Sequence, residues 1–257
     1  MVIVLDLIVV SYRSPGDLHH FLQSVEKYPP DGEWNITIVD VDPVDAWDEN
    51  PMLWISAPVT LIRTVTNVGY ARAVNEAASR GSGEVIGIFN ADTRLMKNVA
   101  TDCVNALQSN ESWAVIGPRQ VDDTGRITHG GIFEKERGFH HRNSEQYSDI
   151  RDDATTVSGS AYFIKRQVWD ELTTCSLYRA KHPEAQGAFL PTPHYFEETF
   201  CSYHARAHGY KIVYYGAATM IHQWHRASPR GGPADRQMKV SREIFREACD
   251  AHGIEHG

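Results

Sequence analysis

A chain of 257 residues with 42% hydrophobic content can bury a full core, and its net charge of −8 excludes nucleic-acid binding by bulk electrostatics. Four cysteines, Cys103, Cys175, Cys201 and Cys249, lie far apart with no Cys-x-x-Cys pair, a spacing that argues against a zinc cluster or a disulfide framework. They fit the reduced thiols of a cytoplasmic protein. The apolar start, Val2 to Val10, is too short to span a bilayer, is broken by Asp6 and lacks a signal peptide's basic flank, so no transmembrane segment is expected.

In chain order, Ile3 to Val10 is rich in β-branched residues and predicts a buried strand leaving into Ser11-Tyr12-Arg13-Ser14-Pro15. Asp17 then caps a helix carrying Leu18, Phe21, Leu22 and Val25 at helical spacing. Strands follow at Asn35 to Val39, ending on Asp40, and at Val59 to Arg63, just before Asn67. The helix Gly69 to Arg80 presents small residues, Ala71, Val74, Ala77 and Ala78, suited to close packing on a sheet. A Gly-Ser-Gly turn leads into the strand Glu84 to Asn90, and the β-α-β order predicts an α/β chain with a mostly parallel sheet. A helix at Lys97 to Gln108 and a strand at Trp113 to Gly117 come next. Between Pro118 and Thr156 the pattern weakens to hairpins and loops.

Order returns with a strand, Val157 to Ile164, running into a helix at Arg166 to Leu172. An irregular loop, Thr173 to His194, is long enough to be functional. The helix Glu197 to His208 stops at Gly209, and strands at Lys211 to Tyr215 and Thr219 to His222 follow. Residues 223–257 read as a loop and a final helix. No Pro/Ser-rich linker divides the chain, which predicts one compact unit.

The chemistry concentrates at strand and helix ends. Asn90 and Asp92, two apart on an extended segment, share a face and can point toward one ion or one sugar. Open α/β sheets bind ligands at such strand ends. Glu197 and Glu198 sit in the first turn of their helix beside an apolar face of Phe196, Phe200, Tyr203 and Ala207, where the helix dipole should lower their pKa. His204 and His208 stand i, i+4 on that helix, but no third ligand is evident, so they read as packing or surface histidines. Basic residues from Arg226 and Arg230 to Arg246 could close over a diphosphate, with Gly231-Gly232 as hinge.

With these pieces in order, roughly residues 4 to 225 resemble the family 2 glycosyltransferases, enzymes of the GT-A fold that use nucleotide sugars. Ser11-Tyr12 looks like the first nucleotide-contacting loop, and Ile38-Val39-Asp40 like the strand whose terminal aspartate reads the base. Asn67-Val68-Gly69-Tyr70-Ala71 with Asn75 is similar to the family's Asn-x-Gly-aromatic-Ala segment, and Asn90-Ala91-Asp92 to its metal-binding Asp-x-Asp, in the form seen in rhamnosyltransferase-like members. Ser158-Gly159-Ser160-Ala161 resembles the acceptor-side glycine segment, and Phe196-Glu197-Glu198 falls where the family places its catalytic acidic pair. His222-Gln223-Trp224 is similar to the galactofuranosyltransferase-like ending, whose histidine is a metal ligand.

The resemblance implies a Rossmann-like GT-A domain over residues 1–225, with a nucleotide-binding half at 1–117, an acceptor half at 118–225, and a tail at 226–257 available as a lid. It implies donor contacts from Ser11, Tyr12, Arg13, Asp40, Asn67, Gly69, Arg72, Asn75, Asn90, Ala91 and Asp92. Acceptor contacts would come from Gly159, Ser160 and Trp224, Mg²⁺ or Mn²⁺ would be held by Asp92 and His222, and Glu198 or Glu197 would be the base. The expected reaction is inverting transfer of a hexosyl or deoxyhexosyl group from a nucleotide diphosphate sugar to a hydroxyl on a glycan, lipid or protein. Two departures stand out: the family's next acidic and basic helix positions fall on Phe200 and His204, and the base position holds Glu rather than Asp. They keep open a non-catalytic sugar-nucleotide binder; a nucleotidyltransferase is the other alternative, though Ser11 to Gly16 makes a poor phosphate loop.

Overall fold

The computed structural model describes residues 4–41, 54–133, 149–223 and 233–256. In chain order the elements are β1 (Val4–Tyr12), α1 (Pro15–Lys27), β2 (Glu33–Val41), β3 (Val59–Thr64), α2 (Tyr70–Arg80), β4 (Val85–Asn90), β5 (Thr93–Arg94), α3 (Val99–Gln108) and β6 (Trp113–Val121). They continue with β7 (Ile127–His129), β8 (Ile150–Ala154), β9 (Ala161–Lys165), α4 (Arg166–Thr174), α5 (Ser176–Lys181), α6 (Glu197–Ala207), β10 (Lys211–His222) and α7 (Pro233–His252). One sheet runs in the order β3-β2-β1-β4-β9-β6-β10-β5, with β7 on β6 and β8 on β10. β3, β2, β1 and β4 are parallel, β9 is antiparallel to both neighbours, and β10 is parallel to β6.

The sheet is buried on both faces, which is why its strands read as continuous apolar runs instead of alternating ones. Along β1, Leu5, Leu7 and Val9 enter one core with α1 and α3, while Ile8 and Val10 enter the other with α2, α4 and α6. The alanines of α2 let that helix lie close on the sheet. A third apolar cluster joins α5, α6 and α7 through Tyr178, Phe200, Tyr203, Phe245 and Cys249. The final helix is therefore docked on α6 along its second half.

Asp6, the charge interrupting the first strand, is buried and fully engaged. Its carboxylate takes the Arg166 guanidinium at 2.6 Å, the Asn35 amide at 2.6 Å and the Gly83 N–H at 2.7 Å. Arg166 also donates to the carbonyls of Ala78 and Gly83. A side chain at Gly81 would stand 2.1 Å from the Asp6 oxygen, so the Gly-Ser-Gly turn is glycine-rich because it wraps a buried carboxylate.

Several boundaries differ from the sequence expectation, each for a local reason. α1 begins at Pro15, whose fixed φ suits a first helical position, so Asp17 lies inside the first turn and does not cap. The strand expected from Val157 begins only at Ala161, because residues 158–160 form a turn closed by Ala161 N–H to Ser158 C=O. β6 runs on to Val121, and the two strands expected after Gly209 are one strand, β10, with a register shift between Tyr215 and Thr219. The 173–194 loop contains α5. Gly209 ends α6 with φ +87°, the left-handed geometry expected of a helix-terminating glycine.

Replacing Arg166 with Ala strands the Asp6 carboxylate in a buried setting. The expected loss is on the order of 3 kcal/mol, read as a lowered urea midpoint with unchanged slope.

Candidate active site

The sheet register sets Ser11 beside Asp40 and Val10 beside Asn90, so the ends of β1, β2 and β4 line one edge. Ser11 and Asp40 are buried there, Asp40 within 3.6 Å of the Arg63 guanidinium. Tyr12 follows at 48% exposure, a large ring left in solvent at the strand end, with the Arg13 guanidinium 5.4 Å from its centroid. Arg13 has φ +50°, and Gly69, at φ +83°, opens α2 after Asn67 Oδ1 accepts the Gly69 N–H at 2.9 Å. Arg72 is exposed on the first turns of α2.

Asn90 and Asp92 do not share an extended face, contrary to the expectation from their spacing. The chain turns at Ala91 and Asp92, the turn is fastened by the Thr93 hydroxyl on the Asn90 carbonyl at 2.7 Å, and Ala91 is buried in the core. Asp92 is aimed instead by the pairing of β5 with the end of β10, Thr93 opposite His222, and by Gln223 N–H on the Asp92 carbonyl. This places the Asp92 carboxylate 3.6 Å from Nε2 of His222.

His222 is oriented from behind. Its Nδ1 lies 2.8 Å from Oε1 of Gln120, which also accepts the Ser160 hydroxyl at 2.9 Å, and Ser160 in turn meets the Ser158 hydroxyl at 2.8 Å. Because that amide oxygen can only accept, the network assigns the histidine proton to Nδ1 and leaves the Nε2 lone pair facing Asp92. A carboxylate and an imidazole nitrogen facing each other, with the second nitrogen held by an outer acceptor, is a donor set that fits a divalent cation.

The Ser158-Gly159-Ser160 turn ties this edge to the glutamates. Ser160 C=O accepts the Asn90 N–H at 3.2 Å, Gly159 C=O accepts the Tyr70 hydroxyl at 2.9 Å, and Gly159 N–H donates to Glu198. A Cβ at Gly159 would lie 3.0 Å from the Glu198 side chain, tighter than carbon contacts ordinarily run. The Tyr70 hydroxyl is pushed up by burial and then by the charges of Glu197, Glu198 and Asp92. The 158–160 turn thus links the ends of β4 and β10 to the start of α6.

Both glutamates titrate high, against the expectation from the helix dipole. Burial, then the neighbouring Glu198, raises Glu197 from the ordinary 4.5 to about 8; it is 3% exposed, with the Thr192 hydroxyl on Oε2 at 3.1 Å. Burial also raises Glu198, although N–H groups of Gly159 and Thr199 favour its charged form. Desolvation outweighs the dipole because a screened helix end contributes about 1 kcal/mol or less, while burial of a lone carboxylate costs several. At neutral pH Glu197 therefore holds a proton. Tyr195 and Phe196, immediately before the pair, both take left-handed backbone at φ +69° and +71°. Two such non-glycine residues cost about 1–3 kcal/mol each and aim the start of α6 into the cleft.

Other expected contacts fall elsewhere. Asn75 is a correction: its amide is buried and spends both ends on the backbone of Phe189, pinning the 187–190 loop to α2. Trp224, Arg226, Arg230 and Gly231-Gly232 lie outside the described residues. Gln120, Tyr70 and Thr192 were not among the expected site residues. Gln120 could have been found as a polar residue continuing an apolar strand, and Tyr70 as the aromatic of its motif.

The architecture and cleft define a class, the GT-A fold. A mannosyltransferase of Pyrobaculum calidifontis in complex with GDP-Man and Mn²⁺ superimposes with TM-score 0.67 at 15% identity, over 95% of this chain and 63% of that one. GalNAc-T7 with UDP, GalNAc and Mn²⁺ gives 0.65 at 16% identity over 95% and 50%, and TarS 1-349 of S. aureus gives 0.58 at 14% over 85% and 60%. No curated protein sequence matches the chain. The profile of Glycosyl transferase family 2 matches residues 6–173, about two thirds of the sequence, and the chain belongs to that family. It spans under two thirds of the mannosyltransferase and half of GalNAc-T7.

The raised Glu197 pKa fixes a sign. The folded state holds the proton more tightly than the unfolded chain, so this group's contribution is fully present below about 4.5 and is lost as pH rises toward 8. Glu197→Gln should therefore stabilise the fold at pH 8.5 by on the order of a few kcal/mol and leave it nearly unchanged at pH 4.5. Urea midpoints at the two pH values check this; a parallel pH dependence in the variant would contradict it.

Proposed function

We propose that this chain is an inverting, metal-dependent glycosyltransferase that moves a hexosyl or deoxyhexosyl group from a nucleoside diphosphate sugar to an acceptor hydroxyl. The observation that carries the reading is the convergence of Asp92, His222 and Glu198 on one turn, Ser158 to Ser160. Asp40 receives the base at the buried end of β2, and Ser11, Tyr12, Arg13, Asn67, Arg72 and Asn90 lie around the donor. Asp92 and His222 hold a divalent cation, Mn²⁺ or Mg²⁺, which when bound neutralises charge on the leaving diphosphate.

Glu198 serves as the general base. It takes the proton of the acceptor hydroxyl as that oxygen bonds the anomeric carbon and the carbon–oxygen bond to the diphosphate breaks, the electron pair leaving on the diphosphate. Attack from the side opposite the leaving group inverts the anomeric centre. A carboxylate raised by burial is a stronger base than one in water, and the Gly159 and Thr199 donors hold it in place. Glu197, protonated, keeps a second negative charge out of the cleft. Glycan, lipid and protein hydroxyls all satisfy this chemistry as acceptors.

The reading is tested by incubating the chain with UDP-, GDP- and dTDP-sugars with and without Mn²⁺, following release of nucleoside diphosphate. One donor should turn over only with metal, and Asp92→Asn and Glu198→Gln should each lose about 100-fold or more in kcat, the scale of a lost general base. Donor affinity with no turnover would instead favour a binding protein, and formation of nucleoside triphosphate and sugar 1-phosphate when pyrophosphate is added would favour a nucleotidyltransferase. Gly159→Ala, which crowds Glu198, should lower kcat about tenfold while leaving the donor KM within about twofold, a near-attack displacement effect.

A further inference from the structure

At the other end of α6, four histidines and one cysteine gather without a role in the chemistry above. His204 is 2% exposed and its Nδ1 has no hydrogen-bond partner among the described residues; the same holds for the buried Nε2 atoms of His182 and His252. The His204 ring lies 4.9 Å from that of His208 and 5.2 Å from that of His252, which stacks on His182 at 5.5 Å. The Cys175 sulfur, at the junction of α4 and α5, and one nitrogen each of His204 and His208 fall within 4.8 Å of one another. Sequence spacing hides this third group, because Cys175 lies 29 residues before His204 and arrives only when α5 packs on α6.

We propose that Cys175, His204 and His208 form a second metal site, for a borderline-soft divalent cation of the zinc class. A thiolate with two imidazoles is the donor set such ions select over the all-oxygen shells of Mg²⁺ or Ca²⁺. With bonds of about 2.0–2.3 Å, tetrahedral ligands stand roughly 3.5 Å apart, so side-chain rotations of about an ångström close the site. His208 is already braced as a ligand: its Nδ1 lies 2.7 Å from Oε1 of Glu171, whose Oε2 accepts the Tyr210 hydroxyl at 2.7 Å. The carboxylate fixes the proton on Nδ1 and leaves Nε2 basic. Packing alone does not account for the cluster, since histidines used as spacers ordinarily satisfy their buried nitrogens.

Binding releases the Cys175 thiol proton to solvent as the sulfur–metal bond forms, and the fourth position is taken by water. The site would clamp the α4–α5 junction to α6. His204 follows Glu197 by seven residues, about 10 Å along the helix, so the clamp is separate from the donor cleft yet steadies the helix that carries the glutamates.

The test uses the full chain, stripped with a chelator and titrated with Co²⁺. Expected are thiolate-to-cobalt charge transfer in the near ultraviolet and tetrahedral bands in the visible, saturating at one equivalent and removed by Zn²⁺. The thiolate band should vanish in Cys175→Ala, weaken in affinity about tenfold or more in His204→Ala and Glu171→Gln, and persist in Asp92→Asn, which separates this site from the donor site. Wild-type protein alone also decides the matter, because Zn²⁺ should protect Cys175 from alkylation. No thiolate band at tenfold excess Co²⁺, a band that survives Cys175→Ala, or unchanged alkylation of Cys175 would overturn the proposal.

Discussion

Gly159 is held from three sides at once. Its N–H belongs to Glu198, its carbonyl to Tyr70, and its α-carbon faces the Glu198 side chain with no room for a further carbon at ordinary distance. The serines flanking it extend the clamp to the other half of the cleft, Ser160 through Asn90 and Gln120, and Ser158 through His129 Nε2, which accepts its N–H at 3.2 Å. Because the turn leads directly into β9, its position is fixed by that strand's pairing with β4 and β6. Two clusters that belong to β4–β10 and to α6 thereby share one rigid hinge of backbone.

Around that turn, polar groups work in a setting that is mostly out of water. Burial favours the neutral form of Glu197, and the His222 ring is held by its Nδ1 contact with the Gln120 amide oxygen. The same burial makes Asp6 and Arg166 necessary to each other at the opposite end of the strands. Left-handed backbone at Tyr195 and Phe196 survives because Phe196 is anchored against Phe245, 5.3 Å between centroids, and the Thr192 hydroxyl donates to the Tyr195 carbonyl at 2.8 Å. Strain at that corner is offset by the α6–α7 apolar cluster.

Every helix but α5 and most strands were legible because hydrophobic period and helix stops are local properties, whereas α5 is a short helix inside a proline-containing loop. β9 running antiparallel was not, since strand direction depends on which neighbours a β-branched run finds. Ser158 to Ser160 looked extended because serine, glycine and alanine carry no period; their turn comes from hydroxyls bonding nearby backbone and each other. Asp92, His222 and the glutamates were singled out by type and position at element ends, but the direction of the glutamates' pKa shift was misjudged. Dipole direction can be read from a helix start, whereas burial by Thr192, Tyr70 and the 158–160 turn is a tertiary fact. Asn75 illustrates the converse: a polar residue in a motif whose amide is consumed in holding a loop.

The central claim is that one metal seat and one carboxylate base meet at this turn. Crystals grown with Mn²⁺ and a nucleoside diphosphate, measured at a wavelength where manganese scatters anomalously, test it most directly. The account predicts a peak bonded to the Asp92 carboxylate and His222 Nε2, with the diphosphate between it and the side of the cleft where Glu198 stands. A manganese peak away from both residues, or a nucleotide lodged on the far side of the sheet, would contradict it.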